Sequence, residues 1–600
     1  MSKQILKFLP FVLITFAIPF FLPGGRLGSY YLTLLILSLS YAIAALGLTV
    51  LLGYSGQVSL AQAAFYGIGS YTLGILTVHN HWSFWPALLA AVVVSTVFGL
   101  FLGAISLRLQ THYLALVTIG FMVIINLVLN NWKSLTGGAD GISNIPRPQL
   151  FGLNFADDKS YYFLMVVFLL ISAYVVFRLR NSRMGSALLA LREDEIAASA
   201  AGINLFWAKV LAFSVSAALG GLGGALYASG SLYISPNVYT FDQSVLFFSM
   251  VLVGGQESIV GTILGAALLT FLPEWLRFLQ SIYVAVYGFM VVVIILFMPE
   301  GLWGLLVRGV SAVFRRNKRS EEGGELKALH RPANHNKRPE STDEVVLEVT
   351  DLHKHFGGVK AVNGVTFTVR KGDVVVLIGP NGSGKTTVLN VLSGIYEATS
   401  GTIVYRGTDI TNKKPHEIKR LGISRTFQNI RLFPELTALE NVVIGFYPKG
   451  TVGLAGTLLS RRKGYAEEKV AYERARSALE LLGFSRIYEK ARNLPYGQQR
   501  IVEIARAMVA EPEVLLLDEP AAGMNPEETK SLAEIIYRLH DLGLTIVLIE
   551  HDMSFVANVA TQAYVMDFGK KISEGSVQEV LHDPEVVKAY LGDDTEYDYA

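Results

Sequence analysis

Long apolar stretches separated by short polar connections fill the first half of the chain, and this pattern stops near residue 312. A helix crossing the hydrocarbon core of a bilayer needs about twenty mainly apolar residues. Stretches 5–22, 30–52, 58–79, 84–106, 112–131, 160–178, 208–229, 243–278 (two shorter segments) and 281–299 qualify. They predict a polytopic α-helical membrane domain of about eight to ten helices. Lys3 and Lys7 precede the apolar run Phe8 to Leu22, and Pro23-Gly-Gly-Arg26 follows it without a small-residue cleavage pattern, which reads as an uncleaved membrane helix. Cations crowd Arg178 to Arg192 and Arg315 to Arg319, and charge bias places both segments on the cytoplasmic side.

After the membrane part, residues 313–344 are mostly charged, Gly, Asn, Pro and Ser, the composition of a flexible cytoplasmic linker. Alternation then returns with a period of two in Val345-Val-Leu-Glu-Val349 and Val365-Thr-Phe-Thr-Val369, and an unbroken apolar run spans Val374 to Ile378. Residues 345–600 therefore read as an α/β domain whose first strands form an edge sheet, with a helical subdomain around 464–482. The expected boundaries are 1–312 for the membrane domain, 313–344 for the linker and 345–600 for the α/β domain.

Composition sharpens this picture in two respects. The mean hydropathy of +0.42 is carried by the first half, so the second half has the balance of an ordinary soluble domain. A net charge of +2 without a basic stripe leaves no polyanion footprint, so nucleic acid is not an expected partner. The absence of cysteine excludes disulfides, thiolate catalysis and cysteine metal sites.

The chemistry lies in the second half. Gly379, Pro380, Asn381, Gly382, Ser383, Gly384, Lys385 and Thr386 form a phosphate-binding loop, between the apolar run 374–378 and a helical run opening with Thr387. Its glycines let backbone N–H groups point at phosphates, Lys385 reaches the terminal oxygens, and the Thr386 hydroxyl suits Mg²⁺. ATP with Mg²⁺ is the expected ligand pair. A second buried run, Val514 to Leu517, ends in Asp518 and Glu519; Asp518 is placed to hold the metal ion and Glu519 to polarise an attacking water.

Between these motifs, Leu494-Pro-Tyr-Gly497-Gln498-Gln-Arg500 resembles the signature of ATP-binding cassette (ABC) ATPases. The resemblance implies that Phe356 stacks on adenine, that Gln428 lies in the loop sensing the membrane domain and joins Thr386 and Asp518 at the metal ion, and that His551 is the switch histidine. It also implies that Leu494, Gly497 and Gln498 complete a nucleotide site. Taken singly, Phe356 could equally be a core residue and His551 an ordinary histidine; their order and spacing in one domain favour the functional reading. Pro495 and Tyr496 depart from the usual serine and glycine, and Asn525 stands where many relatives have Asp.

Ser424-Arg-Thr-Phe-Gln428-Asn-Ile-Arg431-Leu-Phe433, Ala521-Ala-Gly-Met-Asn-Pro526 and Asp583-Pro-Glu-Val-Val-Lys-Ala-Tyr590-Leu-Gly592 are similar to the larger ATPase of branched-chain amino acid importers. Gly53-Tyr-Ser-Gly56-Gln57-Val-Ser59-Leu-Ala-Gln62 onward to Tyr71, Tyr113 to Gly120, Leu135-Thr-Gly-Gly138, Arg192-Glu-Asp-Glu195 and Gly254-Gly255 resemble the permease of the same systems. The chain thus resembles a natural fusion of one permease with one ATPase. That implies a second permease, a second ATPase, an extracytoplasmic binding protein, a small amino-acid substrate and a bacterial inner membrane with its lipid.

Gly56-Gln57-Val-Ser59 recurs loosely as Gly255-Gln256-Glu-Ser258, and polar groups in interrupted apolar segments serve either a transport path or close helix packing. The segment 184–202 resembles the part of such permeases that meets the ATPase. Alternative readings are a homodimeric exporter, an importer of amides or urea, and a membrane-tethered regulatory ATPase.

Overall fold

The computed structural model describes residues 15–22, 25–106, 111–150, 153–298, 301–314, 343–453, 456 and 461–591. Contacts divide the chain into two compact units, residues 1–192 with 205–320 and residues 193–204 with 321–600. Nearly all of the expected linker, and the stretch 5–22 before Thr15, lie outside the described residues.

In the first unit the apolar runs become helices. α1 (Arg26–Leu48) continues through a π-helical turn to Tyr54, α2 (Gln62–Gly74) through another to His79, and α3 (Phe84–Ser106), α4 (Thr111–Asn131), α5 (Asp158–Arg180) and α6 (Leu205–Ser231) follow. α7 (Phe241–Gly254) and α8 (Ile259–Trp275) are shorter. Among the described residues five helices are long and apolar enough to cross a membrane, those at 26–54, 84–106, 113–131, 158–180 and 205–231.

Burial sorts the helices. The apolar core of the first is 83% buried, whereas that of 113–131 is 22% buried, leaving an apolar face such as lipid would cover. α6 packs on α1, α2 and α3, and its glycines make this possible: a Cβ at Gly221 or Gly224 would collide with Ser95 or with the Tyr66 carbonyl. The run Gly220–Gly224 is therefore helix packing.

The two interrupted segments meet. Gly53 lies so close to the Gln256 carbonyl that no Cβ fits between them, and Arg192 Nη1 donates to Gly53 O at 2.7 Å and to Glu257 Oε1 at 2.6 Å. Several polar groups of the same region are satisfied inside the bundle, while the buried Tyr54 and Tyr71 hydroxyls are not, among the described residues. Gln62 Nε2 donates to Ala44 O at 2.6 Å and Ser216 Oγ donates to Gln62 Oε1 at 2.9 Å, which meets the requirement for internal partners in an apolar medium.

The second unit holds two sheets. β1 (Val345–Phe356), β2 (Val359–Arg370), β4 (Ser400–Tyr405) and β5 (Thr408–Asp409) form an antiparallel sheet in the order β2-β1-β4-β5. The other contains β3 (Val374–Ile378), β6 (Ile423–Arg425), β7 (Val514–Asp518), β8 (Thr545–Ile549), β9 (Gln562–Asp567) and β10 (Lys570–Gly575), ordered β6-β7-β8-β3-β9-β10. Its strands run parallel except β10, which pairs antiparallel with β9. β3, β7 and β8 are buried along their whole length because successive residues feed two different hydrophobic clusters: Val374, Val376 and Ile378 face one, Val375 and Leu377 the other. This double burial is why their sequences are unbroken apolar runs. It also delivers Gly379, Asp518 and Glu550 to one edge of the sheet.

Candidate functional site: a nucleotide site at the ends of three parallel strands

The strand–loop–helix order puts the phosphate-binding loop between β3 and α9 (Lys385–Leu392), with Gly384 at the N-cap in a left-handed conformation, φ +100°. A Cβ on Gly384 would run into the Ala361 carbonyl, so glycine is required there on two counts. Lys385 Nζ donates to the carbonyls of Gly379 and Pro380, both at 2.8 Å, and to Ser383 Oγ at 3.3 Å. Burial lowers its pKa, opposed by Glu519 and Asp518. The ammonium is thus directed into the loop by neutral acceptors and keeps its charge available for an anion. The Gly379 N–H is taken by Tyr590 Oη at 2.8 Å, so the last described helix, Pro584–Leu591, ties the C-terminal region to the start of the loop.

Asp518 ends β7 with its side chain 1% exposed, and Thr386 Oγ1 lies 3.4 Å from its Oδ1. Its other oxygen accepts from Arg425 Nη2 at 2.8 Å, and that guanidinium also donates to Asn390 Oδ1 and Ser393 Oγ, both at 2.7 Å. Burial pushes the Asp518 carboxyl up, and Arg425 pulls it back.

Glu519 is the next residue and has φ +44°, an uncommon backbone for glutamate that redirects its side chain away from the strand. Both of its oxygens are held: Gln428 Nε2 donates to Oε2 and His551 Nε2 to Oε1, each at 2.7 Å. Gln428 Oε1 is then the amide oxygen left for a cation. Thr386 Oγ1 and the Asp518 carboxylate lie together and Gln428 Oε1 is a donor of the same kind, an all-oxygen chemistry that suits a hard divalent ion such as Mg²⁺. No cluster of three His, Asp or Glu occurs among the described residues, so such an ion would depend on hydroxyl, amide and phosphate oxygens as well.

Other expected residues lie apart from this cluster. Phe356 is 44% exposed and meets Tyr396 edge-on at 5.2 Å, with Lys354 Nζ 4.9 Å from its ring centre. Pro495 caps α11 (Tyr496–Met508), beside exposed Tyr496 and buried Gly497. A Cβ on Gly497 would come 2.5 Å from Glu528 Oε1, and Gln498 Oε1 is buried without a hydrogen-bond partner.

Sequence reasoning did not single out the groups that wire these pieces together. Arg500, wholly buried, donates to Glu503 Oε2 and to the Gln428 carbonyl at 2.8 Å, and to the Phe427 carbonyl at 2.5 Å. Glu503 in turn accepts from the backbone N–H groups of Phe427 and Arg431, both at 3.3 Å. Arg431 Nη1 reaches Asp194 Oδ2 at 2.6 Å, and Asn204 Nδ2 lies 3.0 Å from His416 Nε2. These pairs join the signature helix, the Gln428 loop and the segment 193–204 within the second unit. The only sequence signal was an Arg and a Glu three apart on an amphipathic helix, which usually marks a surface pair.

A phosphate loop, an acidic strand end and a clamped glutamate define a P-loop ATPase, here in one chain with an apolar helical unit. Residues 30–298 match the family model described as branched-chain amino acid transport system permease component, residues 362–522 that of ABC transporter, and residues 570–596 that of branched-chain amino acid ATP-binding cassette transporter. The chain is 43% identical over 250 residues to the high-affinity branched-chain amino acid transport ATP-binding protein LivG of Salmonella typhimurium, covering 41% of this chain and 98% of that protein. It is 42% identical to BraF of Pseudomonas aeruginosa, named likewise, over the same shares. A crystal structure of a nucleotide-free ATP-binding cassette from an ABC transporter aligns at 38% identity and a TM-score of 0.37, covering 42% of this chain and all of that one. The chain belongs to the branched-chain amino acid ABC transporter family, with a permease domain and an ATPase domain fused in one polypeptide.

Proposed function

We propose that this chain is the permease-and-ATPase subunit of an importer that takes up branched-chain or related small amino acids across a bacterial inner membrane, with its ATPase in the cytoplasm. The observation that carries the reading is the clamped Glu519 beside Lys385 in a chain that also contains a branched-chain permease segment.

In this reading Lys385 and the loop N–H groups hold the ATP phosphates, and Phe356 offers a ring to the adenine. A bound Mg²⁺ would supply positive charge to the phosphate oxygens, held by Thr386, Gln428 and Asp518. Glu519 accepts the proton of the attacking water, and His551, donating through Nε2–H, keeps that carboxylate oriented. Leu494, Gly497 and Gln498 present the start of α11 to the nucleotide of a second ATPase.

Movement of the Gln428 loop is transmitted to segment 193–204, because Arg500 and Glu503 hold that loop and Arg431 in it grips Asp194. Arg192, two residues earlier, holds Gly53 and Glu257 in the first unit. A backbone step of two residues thus separates the ion pair of the engine from that of the helices. A second permease, a second ATPase and an extracytoplasmic binding protein complete the machine.

The test is uptake into proteoliposomes containing the assembled complex and its binding protein, with leucine, isoleucine, valine, amides and urea as the panel. The reading expects the branched aliphatic amino acids to lead. Uptake of urea or amides alone would overturn the substrate assignment.

A further inference from the structure

A cavity of about 850 Å³ opens among α1, α6, α7 and α8 of the first unit, away from the interrupted segments. Asp158 and Ser231 line it, and they fix its depth. α5 runs from Asp158 to Arg180 at the cationic loop, and α6 starts at Leu205 just after that loop and ends at Ser231. The cavity therefore lies at the ends of the helices opposite the cationic loop, on the side that charge bias turns away from the cytoplasm.

Its charged lining is two carboxylates and one guanidinium. Arg147 Nη2 is spent on Asp158 Oδ1 at 2.6 Å and on the Gly230 carbonyl at 3.3 Å. Asp242 makes no ion pair among the described residues, so it is the uncompensated charge. Its neighbour Gln243 carries a buried Nε2 that makes no well-formed hydrogen bond among the described residues, with the Tyr41 hydroxyl as its polar neighbour in the same lining. Both stand in the first turn of α7, a helix of 14 residues whose N-cap, Thr240, makes no side-chain capping bond. A carboxylate, an amide donor without a well-formed bond and backbone N–H groups without a side-chain cap therefore occur in one helical turn. The same cavity is lined by Ile36, Leu37, Leu246 and Leu269.

We infer that this cavity is a receiving site for an aliphatic α-amino acid zwitterion. Asp242 takes the ammonium, Gln243 Nε2 and the N-terminal N–H groups of α7 take the carboxylate, and the four aliphatic residues accept the hydrocarbon side chain. The volume exceeds that of one such amino acid, so water shares the site and binding is weak, as suits a molecule that must move on. This inference rests on the import reading above and gives it a location.

Saturation-transfer NMR on the full chain in nanodiscs, with leucine, isoamylamine and 4-methylpentanoate as probes, tests it directly. Leucine should give the strongest saturable signal, centred on its methyl protons, isoamylamine a weaker one and 4-methylpentanoate the weakest. Asp242→Asn should weaken leucine about tenfold or more and abolish the isoamylamine signal, whereas Asp242→Glu should retain both. Gln243→Leu should weaken leucine and leave isoamylamine unchanged. A wild-type melting temperature and helical circular dichroism in each variant show that it is folded.

Leucine binding equal to wild type in both Asp242→Asn and Gln243→Leu, or 4-methylpentanoate binding as well as leucine, would overturn the site. Uptake in cells that depend on this chain separates the two ideas. Loss of the binding pattern with leucine uptake intact discards the site and leaves the import reading standing. Absence of any chain-dependent uptake of aliphatic amino acids discards the import reading itself.

Discussion

Glu519 is placed by its own backbone, at φ +44°, and gripped on both oxygens, whereas Lys385 touches only neutral acceptors. Their removal should therefore have different effects. Lys385→Ala loses the cation that meets the phosphates, and both nucleotide binding and turnover should fall to background. Glu519→Gln keeps the shape and loses the proton acceptor, so ATP should bind normally while turnover drops by about a hundredfold or more. Equilibrium binding and phosphate release on the same preparations check the pair; wild-type turnover in Glu519→Gln would mean another group is the base.

Lys419 is a second residue with a measurable consequence. Its Nζ is buried and donates to Ser424 Oγ at 2.6 Å and to the Ala507 carbonyl at 3.0 Å, two acceptors that suit a neutral amine. Burial, with Arg506 nearby, pushes its pKa down to about 7. Between that value and the ordinary lysine range the unfolded chain binds a proton that the folded one does not, so stability should rise with pH across this window and fall as pH drops toward 7. The slope is at most about 1.4 kcal/mol per pH unit. Lys419→Met should flatten the rise in melting temperature of the ATPase transition between pH 7.5 and 9, and an identical rise in the variant would show that Lys419 keeps its proton. The phosphate loop and the Asp518-Glu519 pair were legible in sequence because their chemistry is local. Lys419 was not, since a lysine in Lys413-Lys-Pro-His-Glu-Ile-Lys419-Arg reads as solvated.

At the scale of elements, unbroken apolar runs marked β3 and β7 correctly because strands buried on both faces have no polar side to show. The charged helix expected near 464–482 is α10 (Arg461–Leu481). Periodicity could not reveal which elements are tied to which. Arg425 and Asp518 lie 93 positions apart, and Arg431 and Asp194 lie 237 apart, so neither pair leaves a local trace. The loosely matched motifs at 56–59 and 255–258 belong to two interruptions that meet, with Gly53 against the Gln256 carbonyl and Glu257 accepting from Arg192.

Within α11 the fully buried ion pair Arg500–Glu503 also holds the Gln428 loop; Arg506 Nη2 stays 3.7 Å from Glu503 when Arg500 is removed, and breaking such a pair costs up to about 3–5 kcal/mol. Arg500→Met should therefore lower the stability of the ATPase unit by that order, and Arg500→Met with Glu503→Leu should recover part of it. Denaturant unfolding monitored in the ATPase unit reads both. A double variant no more stable than the single one would mean that the backbone bonds of Arg500, not its charge, hold the loop. Gly497 is a poor place to introduce charge for a similar reason, since Gly497→Asp would press a carboxylate on Glu528 of its own chain.

For the whole molecule, the proposed transmission runs from the Gln428 loop through Arg431 and Asp194 to Arg192. Asp194→Ala should keep basal ATP hydrolysis within about twofold and lose its stimulation by substrate-loaded binding protein, a signature of coupling rather than chemistry. Residues 320–340 have the composition of a solvated tether, and the two halves expressed separately should still assemble and transport. Failure of the co-expressed halves, both folded, would give the linker a positioning role.

The central claim is that ATP hydrolysis at Glu519 drives inward movement of an aliphatic amino acid through the helices of this same chain. Proteoliposomes holding the assembled complex, with ATP inside and leucine-loaded binding protein outside, measure this most directly when wild type is set against Glu519→Gln. The account predicts ATP-dependent leucine accumulation for wild type and none above background for Glu519→Gln, although the variant still binds ATP. Equal accumulation by the variant, or ATP-dependent loss of preloaded leucine from vesicles whose ATP-binding side faces the ATP-containing lumen, would contradict it.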